Sequence, residues 1–364
     1  MAVNTHKVEI VPVRLEKHPD AETLSLVHVY GWQVVTKTAD WLALPPVNAE
    51  AVAQGESPVW LGAYVQPDSI VDVTRPEFSF LRRSPEDGKP HRVRVIRLRK
   101  ALSQGLLLPA PEGAQLGDDV AEQLGVRHYE PPTQEELEHG GSHHAESYTG
   151  PQIWVPHYDV ESMYRYVQAF REGELVDVSE KIHGQNTKFM FDGERMWAGT
   201  RREWVKPDMG SPWVVLNTHP WIEDFCHAHP LCILFGETYG WVQVLRYGAW
   251  PNEYWFRAFD VLEGTQYWSV SKFRKEIPQS SRVPDWGIVE FDFERLKELA
   301  EGDTMLEVTG NTNKQGKGGK PIANMREGIV VRPLEERYEH DLGRVILKLV
   351  SNTYLETVKE PEAI

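Results

Sequence analysis

The stretch "SEKIHGQN", residues 179–186, sets one lysine between a glutamate and a short loop holding a histidine, a glycine and an asparagine. A solvated surface lysine needs no such company. A lysine that attacks an electrophile does, because its amine must shed a proton and be aimed through a tight turn. The solution pKa of a lysine, about 10.4, has to be brought down for attack at neutral pH by neighbouring cations or a bound metal. Lys181 is therefore the candidate nucleophile, and the rest of the chain should supply what it requires.

The elements that would position it belong to a chain of 364 residues, long enough for two or three domains with their own cores. Hydrophobic residues at 41% and charged residues at 26% mark it as globular. No apolar run approaches a membrane span, and "MAVNTHKVEIVPV" lacks the basic start and apolar core of a signal peptide. Cys226 and Cys232 are too few for a disulfide framework or a zinc site of the usual spacing, which fits a reducing, cytoplasmic setting. The formal net charge of −15 has the wrong sign for a protein whose bulk composition would announce nucleic-acid binding. Positive charge clusters instead in "RVRVIRLRK" (92–100) and "NKQGKGGK" (313–320).

Up to about residue 126, short apolar stretches broken by Pro, Gly and Asp predict strands: "KVEIVPV", "LSLVHVY", "WQVVT", "SPVWLGAYV" and "HRVRVIRLR". Five or so such strands suggest a small barrel or sandwich. Residues 131–150 are polar and unpatterned and read as a linker; His143 and His144 there are better explained as exposed than as metal ligands. Beyond residue 151, helices are expected over 162–173 and over 292–302, the second with Asp292 as its cap. Strands are expected at "LCILFGETY", "YWFRAFDVL", "EGIVVRP" and "RVILKLV". The order does not alternate regularly, which points to an antiparallel α+β domain. "GNTNKQGKG" (310–318) is not a phosphate loop: its glycines are one residue too far apart and no Ser or Thr follows the lysine.

Six stretches, in order, give the chain a resemblance to the covalent nucleotidyltransferase superfamily and, within it, to the ATP-dependent RNA ligases. They are "EKIHGQN" (180–186), "GTRREW" (199–204), "LFGETYG" (234–240), "FRAFDV" (256–261), "EGIVVRP" (327–333) and "ILKLVS" (346–351). The resemblance implies that Lys181 attacks the α-phosphorus of ATP, expels pyrophosphate and holds AMP as a phosphoramidate. It implies that Glu180, Ile182, Asn186, Arg201, Glu237, Phe259 and Lys348 line the ATP/AMP site. Arg201, ahead of its neighbour Arg202, would grip the 5′-phosphate of the activated strand, since a guanidinium binds phosphate through two hydrogen bonds. Phe259 would stack on adenine, although alternation alone also makes it a core residue. Glu327 and Glu237, with His183, would hold the water shell of a divalent metal, Mn²⁺ or Mg²⁺. His183 stands where DNA ligases and capping enzymes have Asp, which favours the RNA-ligase branch. Lys348 would stabilise charge developing at the α-phosphate. The family's usual second lysine is Val350 here; Lys320, Arg332 and Arg344 are the candidates to replace it.

The front of the chain resembles the OB-type module of the RNA ligase 5 group. OB barrels bind nucleic acid through a basic, partly aromatic face. Along "RVRVIRLRK", Arg92 and Arg94 share one face and Arg97 and Arg99 the other, and a bulge near Ile96 would gather all four as a nucleic-acid contact. The alternative is an edge strand protected by its arginines. Only sixteen residues follow Lys348, too few for the rear OB domain of DNA ligases and capping enzymes. The expected architecture is α+β: an N-terminal OB-type β-barrel (1–130), a linker (131–150) and an antiparallel α+β nucleotidyltransferase domain (151–364). The expected activity is ATP-dependent sealing of 3′-OH/5′-phosphate breaks, in RNA or RNA-containing nicked duplex, by a monomer. The rivals are a DNA ligase of the same superfamily and a non-catalytic OB-type RNA-binding protein.

Overall fold

The computed structural model describes residues 6–129 apart from 83, 85–87 and 89, residues 150–308 apart from 157, residue 310, and residues 322–358. The expected linker, except for Gly150, with His143 and His144, and the basic stretch with Lys320 lie outside the described residues. The chain clusters into two compact units, one built from residues 4–130 and one from the chain behind it.

In the front unit, β1 (Glu9–Val13) and β9 (Leu106–Pro109) flank β4 (Trp60–Val65) in an antiparallel sheet, and β2 (Leu24–Val29) pairs with β3 (Trp32–Lys37). Their β-branched residues alternate inward, so Val8, Ile10, Ala63, Val65, Val71, Phe78, Val93 and Leu108 form one core. The expected single strand "HRVRVIRLR" is two. His91–Arg92 (β6) pairs with Ser69–Val71 (β5), and Val95–Leu98 (β7) forms a hairpin with Ala101–Gln104 (β8). The two residues of its turn, Arg99 and Lys100, have φ of 48° and 71°, the conformation that the right-handed strand twist demands there.

In the rear unit, two five-stranded sheets carry the chemistry. The first runs β10 (Glu161–Ser162), β19 (Leu347–Val350), β18 (Gly328–Pro333), β11 (Leu175–Lys181), β17 (Asp285–Glu290). The second runs β13 (Met196–Thr200), β12 (Gln185–Phe191), β14 (Cys232–Gly240), β15 (Tyr254–Glu263), β16 (Gln266–Tyr267). All pairs are antiparallel except β10 with β19. Two helices without an expectation from sequence, α2 (Gly210–Thr218) and α3 (Pro220–Ala228), cover the back of the second sheet and bury Val215, Ile222 and Phe225 against Phe189 and Phe256. Phe256 lies edge-on to Phe189 at 5.2 Å and fills the space that a side chain at Gly236 would need. Truncating so large a buried ring costs about 3–5 kcal/mol.

Asp292 does cap its helix, α4 (Phe293–Ala300), by accepting from the Arg295 amide. The helix expected over 162–173 is corrected: it spans only Met163–Tyr166 (α1), followed by a 3₁₀ turn at Val167–Ala169. Phe170 leaves the helix for an extended conformation and stacks on Phe291 at 5.1 Å, so tertiary packing overrides the helical pattern.

Candidate active site

Lys181 is the last residue of β11, and the strand register shows what stands beside it. Lys181 pairs with Gly328, which pairs with Val350; one step back along the strand face, Ser179 pairs with Val330 and Val330 with Lys348. Directly paired residues share a face, so Lys181, Val350 and Lys348 all project to the same side. Gly328 has no room for a side chain, because a Cβ there would lie 2.1 Å from the Leu349 carbonyl oxygen.

Glu327 precedes that glycine and accepts a hydrogen bond from Lys181 Nζ at 2.6 Å. Burial of the Glu327 carboxyl opposes ionisation, but Lys181 and His183 outweigh it and bring its pKa down to about 2. It is a firm anion. His183 Nδ1 stands 3.6 Å from its second oxygen, and the His183 amide donates to Tyr247 Oη at 2.8 Å. The turn between β11 and β12 closes because Gly184 packs on the Thr238 carbonyl, where a Cβ would come within 2.2 Å.

On the second sheet, Asn186 pairs with Glu237 and Glu237 with Arg257, while the Gly184 amide donates to the Glu237 carboxyl. Burial, reinforced by the charge of Glu327 and opposed by Lys181, lifts the Glu237 pKa to about 8. Arg201 lies just past the end of β13, near enough for its charge to act on Glu237, and pairs with Asp159 at 3.0 Å. Arg202 is exposed. Phe259 is the extra residue of a β-bulge: Phe235 pairs with Asp260 and Gly236 with Ala258, leaving Phe259 unpaired. The bulge brings it 5.0 Å from Tyr158, half-buried, with one side packed. This is where simple alternation fails, and why alternation could not settle its role.

Three buried polar atoms here have no hydrogen-bond partner: Glu327 Oε2, His183 Nε2 and Asn186 Oδ1. Buried polar atoms are normally satisfied, so these lone pairs mark a site built for something else. Among the described residues no three His, Cys, Asp or Glu side chains converge as direct metal ligands. The lone pairs instead suit water molecules around a hard cation, which keeps part of its shell. Glu327 Oε2 and His183 Nε2 fit such a group, while Asn186 Oδ1 can accept from a ligand hydroxyl.

Other expected residues sit differently. Both oxygens of the Glu180 carboxylate are taken, by the Thr304 hydroxyl and the Met305 amide at 2.7 Å, and its backbone N–H donates to the Pro284 carbonyl at 2.8 Å. Ile182 is buried in a cluster with Tyr239, Tyr247 and Tyr354. Arg332 and Arg344 do not replace the cation absent at Val350. Arg332 is held by Asp177 at 3.1 Å and Asp260 at 3.5 Å, and Arg344 by Asp260 and Glu336 at 2.6 Å each. In the front unit, Arg92 is corrected as a nucleic-acid contact: it is buried, paired with Asp68 at 2.6 Å and stacked over Tyr129. Arg97 and Arg99 are exposed and Arg94 is half-buried, but Arg99 belongs to the hairpin turn, so a single four-arginine strand face does not form.

Sequence reasoning missed Tyr247 and Tyr354, which hold His183, and Lys188, a buried lysine on β12. Lys188 lies 4.9 Å from the Trp204 ring, and burial brings its pKa down to about 8. Only Ser351, which caps the helix carrying Tyr354, gave a readable signal.

Two family models match the chain: RNA ligase over residues 174–350, and an OB-fold domain over residues 7–110. No curated protein matches it. Among solved structures, a mutant of Naegleria gruberi RNA ligase with ATP and Mn superposes with a TM-score of 0.72 at 22% identity, covering 96% of this chain and 98% of that one. A second mutant of that enzyme, also with ATP and Mn, gives 0.73 at 21% identity over the same shares of the two chains. The same enzyme with PPi gives 0.71 at 22% identity, again over 96% and 98%. The chain thus carries an RNA ligase domain over residues 174–350 behind an N-terminal OB-fold domain, and it shares the fold of Naegleria gruberi RNA ligase.

Proposed function

We propose that this RNA ligase seals 3′-OH/5′-phosphate breaks with ATP and a divalent cation, Mn²⁺ or Mg²⁺, acting on nicks in a duplex whose 3′-OH strand is RNA. The observation that carries the reading is the Lys181–Glu327 contact at 2.6 Å, set among buried lone pairs with no partner. Naegleria gruberi RNA ligase, of the same fold, has been captured with ATP and Mn.

In the free protein Lys181 Nζ is engaged with the Glu327 carboxylate at 2.6 Å. Attack requires that this contact loosen and the proton leave. A divalent cation would supply positive charge to the phosphate oxygens, and Glu327, Glu237 and His183 are the residues to hold its waters. The Lys181 amine then forms a bond to the α-phosphorus as the bond to pyrophosphate breaks, and the nitrogen loses a proton. Lys348, one register step from Lys181, offsets charge on the α-phosphate. Phe259 stacks on the adenine, and Asn186 and Glu237 reach the ribose. A 5′-phosphate oxygen, positioned by Arg201, next displaces the lysine, whose nitrogen regains a proton as AMP moves to the strand end. The 3′-OH finally attacks that 5′-phosphorus and AMP leaves. Division into residues 1–130, a linker 131–150 and a ligase domain 151–364 matches these tasks, with nucleic acid also held by the front domain near Arg94, Arg97 and Arg99. The protein acts as a monomer.

The test is incubation with α-labelled ATP and Mn²⁺ or Mg²⁺, without nucleic acid. Covalent label on the protein, released by pyrophosphate, is expected. Its absence under all metal conditions would overturn the reading.

A further inference from the structure

The final described helix, α5 (Asn352–Thr357), starts two residues after Val350 and returns a tyrosine to the histidine of the "KIHG" turn. Its start is firmly tied. The Ser351 amide donates to the Glu327 carbonyl at 2.8 Å, Ser351 Oγ accepts from the Tyr354 amide at 3.0 Å, and Glu301 accepts from Ser351 Oγ and from the Asn352 amide at 2.7 Å each. Tyr354 is buried, and its Oη lies 3.2 Å from His183 Nδ1. Val350 packs in the same cluster as Tyr354 and Ile182. The position where the family has its second lysine is spent here on supporting Tyr354.

His183 Nδ1 thus faces two oxygens, Tyr354 Oη at 3.2 Å and the partnerless Glu327 Oε2 at 3.6 Å. A lone pair on Nδ1 would be repelled by the carboxylate, whereas an N–H is attracted to it. With the proton on Nδ1, Nε2 is left as a bare lone pair, buried and without a donor. Partners at one ring nitrogen commonly fix what the other can bind.

We infer that Tyr354 is a positioning residue which, with Glu327, holds His183 as its Nδ1–H tautomer and presents Nε2 as an acceptor for the water shell of the divalent cation. The inference rests on the reading given under Proposed function, but its first test does not require activity. In protein stripped of metal with EDTA, long-range ¹⁵N–¹H NMR of histidine side chains should show His183, identified by its loss in His183→Asn, as a single Nδ1–H tautomer. In Tyr354→Phe, which keeps the ring and loses only the hydroxyl, the Nε2–H form should appear as a mixture. The Mn²⁺ concentration for half-maximal lysyl-AMP formation should rise by about tenfold in Tyr354→Phe, the lower end of what loss of such supports causes. In a His183→Asp background, adding Tyr354→Phe should shift that concentration less than twofold, because no imidazole remains to orient. An unchanged tautomer and unchanged metal requirement in Tyr354→Phe would make Tyr354 a packing residue only and overturn the inference, as would an equal metal shift in both backgrounds. If wild-type protein takes no label at all, the ligase reading fails while the tautomer result still stands or falls by itself.

Discussion

Two ends of one sheet face hold buried charge in opposite ways. On β11, Asp177, Ser179 and Lys181 alternate onto the same side. At the Asp177 end, each charge is set against an opposite one: Asp177 takes Arg274 and Arg332, Asp260 takes Arg344 and the Tyr158 hydroxyl and faces Arg332 Nη1 across 3.5 Å without a hydrogen bond, and Glu336 takes Arg344. Asp177 and Arg332 belong to the first sheet and Asp260 to the second, so the network ties the sheets together. At the Lys181 end, four residue positions along the strand, Glu327, His183 and Asn186 each keep a buried atom without a partner, and Glu237 is held protonated until about pH 8. Closed charge serves the fold. Open charge waits for a ligand. Arg332 and Arg344 looked in the sequence like spare cations for phosphate, and both are held within the closed network.

The sharpest way to break the comparison is to remove the nucleophile. Lys181→Ala should give no labelled protein from α-labelled ATP, yet remain folded by circular dichroism. It should still seal a nick whose 5′ end is already adenylylated, because the last step uses no free lysine. Label surviving on Lys181→Ala would place the nucleophile elsewhere and dissolve the distinction between the two ends.

The closed end should answer in stability instead. Asp260→Ala strips two arginines and a tyrosine of their partner, and breaking a buried pair from one side costs about 3–5 kcal/mol. In a domain of this size that lowers Tm by roughly 6–20 °C. Below the lowered Tm, label formation should stay near wild type. A large loss of labelling in protein still folded would show that the network reaches into the chemistry.

Lys348→Ala tests the open end again, with a smaller effect. One electrostatic stabiliser of developing charge contributes about 10²-fold. The loss should fall on adenylylation rate rather than on Tm, the reverse of Asp260→Ala. Labelling near wild type in Lys348→Ala would reduce "ILKLVS" to a core strand.

The sequence carried much of this site because its motifs coincide with strand ends. "EKIHGQN" is the end of β11, a turn and the start of β12, and the need for Gly184 is visible as a close backbone approach. Alternation correctly placed Lys348 and Val350 on one face. What could not be read was anything set by distant partners. Arg332 looks available for phosphate in a linear sequence, and only the fold brings Asp177 and Asp260 to it. The bulge at Phe259 breaks the period on which the strand reading relied. Arg92 lost its expected role to Asp68 and Tyr129, neither of them near it in sequence. Helices α2 and α3 went unrecognised although Pro220 stands at the first position of the second, a place proline favours.

The smallest expected effect concerns Glu237, the one carboxyl at the open end that the fold keeps neutral. Its pKa is raised from the ordinary value of 4.5 to about 8, chiefly by burial, so the folded state binds this proton more tightly than the unfolded chain does. A raised carboxyl contributes stability that is complete below the unfolded value and is lost as pH rises through the folded one. Glu237→Gln keeps the shape and stays neutral at every pH. In EDTA, wild type and Glu237→Gln should therefore diverge between pH 7 and pH 9, with wild type losing roughly 2–4 °C of Tm relative to the variant. Every other titration is shared by the two proteins and cancels in the difference. Adding Mn²⁺ at pH 9 should narrow or reverse the gap, because a cation favours the ionised carboxylate and the amide has no charge to offer it. A Tm difference that is flat from pH 6 to pH 9 would mean that Glu237 is already ionised in the free protein. The open end would then carry two carboxylate anions, with Lys181 and Arg201 the cations whose charge holds Glu237 ionised.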